Sequence, residues 1–276
     1  MNIDSHQHFW TPGRGDHTWM PQDNPILNRT YLPSDLAPIL QSEGIDGTIL
    51  VQAAATVNET EYMLGLADGS TFVKGVVGWI DFENPDDAKT LNRLKGHPKF
   101  KGVRPMIQDI PDDNWMLHPD VQWAYKTLCD LDLTFDALGF PRHLANFLTL
   151  FKKYPQMRVV IDHCMKPQIR DHSPETYQSW ADGMARLADA GAYCKFSALI
   201  TEASPDWTPQ TLQPYVNHIL SAFGPERIMW GSDWPVCRLR AEYDIWHRAA
   251  KSLTSTLTPT AQAQIFGETA TTFYRL

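Results

Sequence analysis

Two short motifs at opposite ends of the chain carry the residue types that most directly support chemistry. His6-Gln7-His8 follows a short apolar run near the start of the chain, and Gly231-Ser232-Asp233-Trp234-Pro235 follows another near its end. In a β-strand, residues i and i+2 project from the same face, so His6 and His8 can direct two imidazole nitrogens at one metal ion or one substrate oxygen. Asp233 can join them only if the first and last strands are neighbours, as they are in a closed barrel.

The rest of the chain predicts such a barrel. Eight short runs bounded by Gly, Pro or charged residues read as strands, and most are separated by segments with helical periodicity. Strands that alternate with helices pair in parallel, and eight such units close as a (β/α)8 TIM-like barrel, here a single domain over residues 1–276. A doubly wound open sheet is the alternative, and it would separate the first strand from the last. The predicted strands are Asn2–His6, Gly47–Gln52, Val73–Ile80, Phe100–Ile107, Leu133–Leu138, Met157–His163, Ala192–Ala198 and Arg227–Asp233.

Functional groups of such barrels gather at the carboxyl ends of the strands. There we expect Asp233 as the general base and His163 and Arg104 as catalytic groups that polarise a substrate carbonyl. Each has a structural alternative: a helix cap for Asp233, a hydrogen-bonded core histidine for His163 and a simple ion pair for Arg104. We expect four further residues to bind substrate, with buried bracing or packing as the alternative for each: Gln52, Lys166, Lys195 and Trp234.

Two segments are long enough to cover the mouth of the barrel. Residues 9–32 carry Trp10, Trp19 and Tyr31, and residues 108–119 carry Trp115. Aromatic side chains in such segments indicate lids or walls on which a sugar ring stacks, with packing against the barrel as the alternative.

Composition excludes several classes of protein. Lys and Arg number 24 against 32 Asp and Glu, giving a net charge of −8 without a basic run, so nucleic acid is not an expected partner. No stretch has the length of a membrane span, and the first strand begins too early for a signal peptide, which predicts a cytoplasmic protein. The four cysteines lack CxxC spacing and are expected to be free thiols. The oligomeric state stays open, with a homo-oligomer among the possibilities.

The motifs together resemble the amidohydrolase superfamily, and within it the sugar-lactonase-like group that includes L-fuconolactonases and L-rhamnonolactonases. The matching segments keep a consistent order over essentially the whole chain. They are Ile3-Asp4-Ser5-His6-Gln7-His8-Phe9-Trp10, Val76-Val77-Gly78-Trp79-Ile80-Asp81, Lys101-Gly102-Val103-Arg104, Ile161-Asp162-His163-Cys164-Met165-Lys166-Pro167, Cys194-Lys195-Phe196-Ser197-Ala198-Leu199 and Gly231-Ser232-Asp233-Trp234-Pro235-Val236.

The resemblance implies a distorted barrel and hydrolysis of a lactone ester to a sugar acid. It carries metal-ligand or substrate-orienting roles onto His6 and His8, a substrate contact onto His163 and the base onto Asp233. Many relatives have a histidine ending the fifth strand, but Leu133–Leu138 has none, and the nearest, His143, lies beyond the strand.

We therefore expect at most one divalent metal, with His6, His8 and Asp233 as ligands. Zn²⁺ is the favoured ion because it accepts nitrogen and oxygen ligands, and its binding could be weak or dispensable. The family often has Gly where Ala198 stands, and we expect the added methyl group to narrow the rim near Lys195.

The sequence thus predicts a carboxylic ester hydrolase that opens an aldono-1,4- or 1,5-lactone, such as L-fuconolactone or L-rhamnonolactone, with a small-molecule lactone as its partner. Two alternatives stay open. One is a pyrone-dicarboxylate-type lactonase or metal-dependent decarboxylase, whose carboxylated substrates Arg104, Lys166 and Lys195 would bind. The other is a catalytically idle sugar-acid-binding protein, which would not need Asp233 together with three histidines.

Overall fold

Eight parallel strands in chain order form the core of the computed structural model, which describes residues 1–276. Each predicted strand is present, and most end a few residues earlier than predicted because the chain turns out of the sheet toward the barrel mouth. The strands are β1 (Ile3–Gln7), β2 (Gly47–Val51), β3 (Val73–Gly78), β4 (Phe100–Val103), β5 (Thr134–Ala137), β6 (Arg158–Ile161), β7 (Tyr193–Phe196) and β8 (Ile228–Trp230).

Helices follow the strands, and the longer ones bury an apolar stripe against the barrel. Proline and polar caps mark where several begin: the Asp35 carboxylate accepts from the Leu32 N–H at the start of α1, and the Ser173 hydroxyl accepts from the Thr176 N–H at the start of α6. The helices are α1 (Pro33–Glu43), α2 (Val57–Asp68), α3 (Asp87–Lys95), α4 (Gln122–Asp130), α5 (Leu144–Lys153), α6 (Pro174–Asp189), α7 (Leu199–Glu202), α8 (Pro209–Phe223), α9 (Tyr243–Leu253), α10 (Pro259–Ala263) and α11 (Thr269–Tyr274).

The seam between β8 and β1 is closed mainly by residues that follow β8. The His8 N–H donates to the Trp234 carbonyl at 2.7 Å, and the Asp233 N–H donates to the His6 carbonyl at 2.8 Å. At Ser232, the residue before Asp233, a side chain replaces the backbone partner, since the Ser232 N–H donates to Oδ1 of Asp4 at 2.8 Å. The barrel prediction is confirmed, with an irregular last seam, and the open doubly wound sheet is excluded.

Gly231 permits the close approach at this seam. A Cβ atom at Gly231 would lie 2.7 Å from Cβ of His6 and 3.3 Å from Cβ of Ser197. Only a residue without a side chain lets the end of β8 come this near to β1 and β7.

The amino end of the barrel is closed by the last helix. Phe273 and Tyr274 of α11 pack into an apolar cluster with strand residues that include Ile3 and Met229. Tyr274 reaches further in, and its hydroxyl donates to Asp136 Oδ2 at 2.8 Å. The four cysteines are free thiols, as predicted, and none of the helices is long and apolar enough to cross a membrane.

Candidate active site

A cleft of about 230 Å³ opens at the carboxyl ends of the strands. Pockets for drug-sized ligands usually span roughly 300–1,000 Å³, so this cleft suits a smaller molecule, such as one containing a single ring. Its polar lining comes from His8, Arg104, Gln108, Asp109, His163, Lys166 and Asp233. Its apolar lining comes from Trp10, Trp19, Ala53, Met106, Leu138 and Val236.

Three imidazoles converge on the carboxylate of Asp233 at the floor of the cleft. Oδ1 of Asp233 lies 3.2 Å from Nε2 of His8, 3.7 Å from Nε2 of His6 and 3.9 Å from Nε2 of His163. Nε2 of His6 and Nε2 of His8 are 3.2 Å apart. The closed barrel therefore brings together residues more than two hundred positions apart, as the two motifs predict.

The three predicted metal ligands lie together as a set of two nitrogen donors and one oxygen donor. One possible ligand atom from each of His6, His8 and Asp233 lies within 4.8 Å of the other two. Nδ1 of His8 lies 2.8 Å from the Val51 carbonyl, which fixes the proton on Nδ1 and leaves the Nε2 lone pair facing Asp233. The donor set fits Zn²⁺. Arg104 would compete with a metal ion for the His6 imidazole, since Nη1 of Arg104 lies 3.3 Å from Nε2 of His6.

Asp233 is held in an unusual backbone conformation. Its φ of 57° lies in the left-handed region, which a non-glycine residue adopts only under local constraint. Burial opposes ionisation of its carboxyl, but the cationic surroundings, which include the Lys166 ammonium, outweigh it and lower the pKa of Asp233. The group is therefore a carboxylate at neutral pH.

His163 and Lys166 share one left-handed turn after β6. All four residues from His163 to Lys166 have φ between 49° and 58°, and this turn directs both side chains into the cleft. Burial lowers the pKa of His163 to about 3, so the imidazole is neutral at neutral pH. Burial also lowers the pKa of Lys166, whose ammonium donates to Oε1 of Gln108 at 2.5 Å.

Arg104 is positioned by its own hydrogen bonds. Nη1 donates to Oδ2 of Asp162 at 3.1 Å, and Nη2 donates to the Gln52 carbonyl. The Gln52 amide in turn donates to the Arg104 carbonyl. This pairing fixes the guanidinium at the wall of the cleft, with Gln52 behind it.

Lys195 lies below the cleft in a fully buried polar network. Its ammonium contacts Oδ2 of Asp136 at 2.5 Å, Oδ1 of Asp162 at 3.0 Å and Nδ1 of His6 at 3.1 Å. Burial and the Lys195 charge lower the pKa of His6 well below its ordinary value. Burial opposes ionisation of Asp162, but the charges of Lys195 and Arg104 hold its pKa well below the usual range.

The structure separates the four predicted substrate-binding residues. Lys166 lines the cleft, whereas Gln52 and Lys195 are fully buried around it. Trp234 packs edge-on against Phe9 and Tyr31 and does not line the cleft. His143, the histidine nearest to the fifth strand, pairs with Asp113, so the fifth strand contributes no imidazole to the site.

Only one of the two aromatic segments reaches the cleft with its tryptophans. Trp10 and Trp19 form part of the wall, and the Trp19 indole donates to the Ala53 carbonyl at 2.6 Å. Trp115 instead packs against Phe82 and donates to Glu83. The second segment contributes Gln108 and Asp109 to the lining.

Several residues that shape this site are not among the predicted site residues. Asp162 pairs with Arg104 and Lys195, and Ser197 contacts His163. Glu59 is fully buried and accepts from the Ala53 and Ala54 N–H groups while pairing with His17. Asp162 and Ser197 lie within the matching segments, so their position was a usable signal, whereas nothing in the pattern around Glu59 indicates its contact with residue 17.

Comparison with known proteins assigns the family. The amidohydrolase family model matches residues 3–276. The chain belongs to the amidohydrolase family. This amidohydrolase is 39% identical over 281 residues to a protein of Burkholderia ambifaria named L-fucono-1,5-lactonase, covering 100% of this chain and 96% of the relative. It is 32% identical to an L-fucono-1,5-lactonase of Burkholderia multivorans, with the same coverage.

Solved structures agree with the family and the fold. A crystal structure of an amidohydrolase from Burkholderia multivorans with bound Zn superimposes on this amidohydrolase with a TM-score of 0.95 at 31% identity, covering 100% of this chain and 99% of the other. The predicted superfamily, barrel and hydrolase class are confirmed.

Proposed function

We propose that this amidohydrolase is a lactonase that hydrolyses the cyclic ester of a sugar acid, an aldono-1,4- or 1,5-lactone such as L-fuconolactone or L-rhamnonolactone. The observation that carries the proposal is the convergence of a carboxylate, a neutral imidazole and two cations, from Asp233, His163, Arg104 and Lys166, on one small cleft. The two Burkholderia relatives support the lactone substrate, as does a 27% identical L-rhamnono-gamma-lactonase of Scheffersomyces stipitis.

In this proposal Asp233 is the general base. A water molecule adds to the lactone carbonyl while the Asp233 carboxylate removes one of its protons. The lowered pKa keeps this carboxylate ionised at neutral pH. A carboxylate of low pKa is a weak base, and it suffices here because a lactone carbonyl needs less activation than an amide.

Negative charge grows on the carbonyl oxygen as water adds. Arg104 supplies positive charge at the wall of the cleft, and His163 supplies a neutral imidazole opposite Asp233. The tetrahedral intermediate then breaks its bond to the ring oxygen, and protonated Asp233 returns its proton to the departing alkoxide. The product is an open hydroxy acid, which releases one proton to solvent at neutral pH.

A divalent ion held by His6, His8 and Asp233 would supply Lewis-acid polarisation of the substrate carbonyl. We propose at most one such ion, with Zn²⁺ favoured. Metal analysis of the protein with both His6→Asn and His8→Asn tests this set: loss of stoichiometric zinc is expected, and unchanged zinc content would reject these ligands. Extensive chelation without loss of turnover would favour catalysis by His163 and Arg104 alone.

The cleft argues against a substrate with several carboxylates. Such a substrate needs several free cations, but Lys195 is fully buried between Asp136 and Asp162, and Arg104 is already paired with Asp162. Only Lys166 offers its charge without a carboxylate within salt-bridge distance. This makes the pyrone-dicarboxylate lactonase and decarboxylase alternatives less favourable.

A substrate screen tests the proposal directly. Acid release from a panel of aldonolactones is followed at constant pH, with and without added Zn²⁺ or chelator, and CO2 release is measured on carboxylated pyrones and aromatic acids. Acid release from an aldonolactone is the expected result. CO2 release alone would replace the proposal with a decarboxylase, and tight binding without turnover would indicate a sugar-acid-binding protein. The cytoplasmic location and a homo-oligomeric state stay predictions.

A further inference from the structure

The imidazole of His163 has different partners at its two nitrogens. Nδ1 lies 2.9 Å from Oγ of Ser197, and Nε2 lies on the cleft side, 3.9 Å from Oδ1 of Asp233. A neutral imidazole carries one N–H, so either Nδ1 or Nε2 presents the proton and the other presents a lone pair. Which nitrogen is protonated decides whether the cleft meets a hydrogen-bond donor or an acceptor.

Ser197 can determine which nitrogen carries the proton, because its hydroxyl is buried and has few possible hydrogen-bond partners. The residue is fully buried, and Nδ1 of His163 is the hydrogen-bond partner that the structure gives its Oγ. If the hydroxyl accepted from Nδ1–H, its own proton would be buried without an acceptor, which costs about 1–3 kcal/mol. If it donates to Nδ1, its proton is satisfied and only a lone pair stays unused, which is a smaller cost.

The position of Ser197 is set by the backbone on both sides. It follows β7 directly, and Ala198 after it has a φ of 55°, which turns the chain away from the sheet. A Cβ atom added at Gly231 would lie 3.3 Å from the Cβ of Ser197, so Ser197 is packed against the barrel seam. The hydroxyl is therefore presented to His163 by a constrained turn and not by a mobile loop.

We propose that Ser197 is a positioning residue that fixes the Nε2–H tautomer of His163, so that this imidazole faces the cleft as a hydrogen-bond donor. The inference rests on the proposed lactonase function, in which that N–H donates to the carbonyl oxygen as negative charge develops on it. It gives His163 a role separate from the metal-ligand set, because a protonated Nε2 offers no lone pair to an ion.

Nitrogen NMR of the chelator-treated protein tests the tautomer without reference to substrate. Histidine labelled with 15N is introduced, and the His163 signals are assigned by their loss in His163→Gln. The expected spectrum shows the proton on Nε2 in the wild type, and in Ser197→Ala a shift of both ring nitrogens toward a mixture of tautomers. A proton on Nδ1 in the wild type would overturn the proposal.

Kinetics on a matched series test the positioning role. Loss of an oxyanion-stabilising donor costs roughly 10²–10³-fold in kcat, so Ser197→Ala, which only loosens that donor, should lower kcat by at least about tenfold with little change in KM. Ser197→Cys keeps the shape with a weaker donor and should fall between alanine and wild type. Ser5→Ala is the control, since Ser5 is equally buried and its hydroxyl has no partner.

The outcomes separate the two proposals. Equal kcat in Ser197→Ala and Ser5→Ala would overturn the positioning role even if lactones are hydrolysed. Failure of the wild type to hydrolyse any lactone would overturn the proposed function, while the nitrogen spectrum would still decide which tautomer Ser197 fixes.

Discussion

The two ends of the barrel are built by opposite rules. At the amino end, Phe273 and Tyr274 close the barrel with an apolar cluster in ordinary helical geometry. At the carboxyl end, six of the eight non-glycine residues with positive φ follow β6, β7 or β8 directly, among them His163, Ala198 and Asp233. Sterically costly backbone conformations thus collect where the chemistry is proposed.

The difference indicates how the molecule distributes its stability. Apolar packing at the closed end and in the surrounding helices supplies free energy of folding. Part of that free energy offsets the cost of the buried ionised groups and left-handed turns at the open end, which an isolated segment would not adopt. Substitutions at the two ends should therefore separate activity from stability.

The largest effect is expected at the open end. Asp233→Asn removes the proposed base and should lower kcat for lactone hydrolysis by about 10²–10⁴-fold, the usual contribution of general base catalysis. The fold should persist, because asparagine tolerates the left-handed conformation of this position better than most residues. Initial rates by acid release and a thermal unfolding curve measure the two effects.

Asp130→Asn provides the control, since Asp130 is an exposed residue of α4 that pairs with Lys126. Near-normal turnover in Asp233→Asn would remove Asp233 from the mechanism. A loss of folding in Asp233→Asn alone would show that its carboxylate has a structural role.

The reverse pattern is expected at the closed end. Phe273→Ala removes a buried ring, 3% exposed, that packs 4.8 Å from the ring of Tyr193, and should lower the free energy of unfolding by about 3–5 kcal/mol. Activity per folded molecule should stay close to wild type. Denaturant unfolding measures the first effect and active-site-normalised rates measure the second.

Phe273→Leu, which keeps apolar volume, should recover most of the stability. A tenfold fall in kcat of the folded Phe273→Ala protein would contradict the separation of the two ends and indicate coupling through Tyr274 and Asp136.

A third, smaller effect concerns Asp4 at the seam between β8 and β1. Burial raises the pKa of Asp4 to about 6, against an ordinary value of 3.8. The Asp4 carboxyl therefore binds a proton more tightly in the folded protein than in the unfolded chain. Protonation of Asp4 stabilises the fold fully below pH 4, and this stabilisation is lost as the pH rises to 6 and above. The shift of about two pKa units corresponds to roughly 3 kcal/mol.

Asp4→Asn should remove that dependence while keeping an oxygen that accepts from the His6 and Ser232 N–H groups. The difference in free energy of unfolding between wild type and Asp4→Asn, measured by denaturant from pH 4 to 7, should change by roughly 3 kcal/mol in favour of the variant. Parallel curves would reject the raised pKa. Asp130→Asn should run parallel to wild type.

The sequence predicts the fold and the floor of the site well, for physical reasons. Strand and helix periods, together with parallel pairing, define the barrel, and the barrel places His6, His8 and Asp233 together. How deeply a side chain lies is harder to predict, because Lys195 near the end of β7 and Lys166 in the turn after β6 both belong to the carboxyl end of the barrel. Only the fold shows that Lys166 lines the cleft while Lys195 points below it between two carboxylates.

Side-chain contacts between distant segments were also beyond prediction. The pairing of His17 with Glu59 and the packing of Trp115 on Phe82 depend on how each loop returns to the barrel. Amino-acid types alone do not determine those paths, because many loop conformations satisfy the same polar and aromatic groups.

The smallest predicted effect tests whether backbone strain at the open end is real. Ala198 has a φ of 55°, which costs a non-glycine residue roughly 1–2 kcal/mol, whereas the equally buried Ala203, five residues on, has an ordinary φ of −88°. Glycine at either position loses a buried methyl group and adds freedom to the unfolded chain, so these two costs are shared. Ala198→Gly should therefore be less destabilising than Ala203→Gly by roughly 1–2 kcal/mol in denaturant unfolding. Equal losses would mean that the surrounding packing, and not the left-handed turn, determines the energy of this segment.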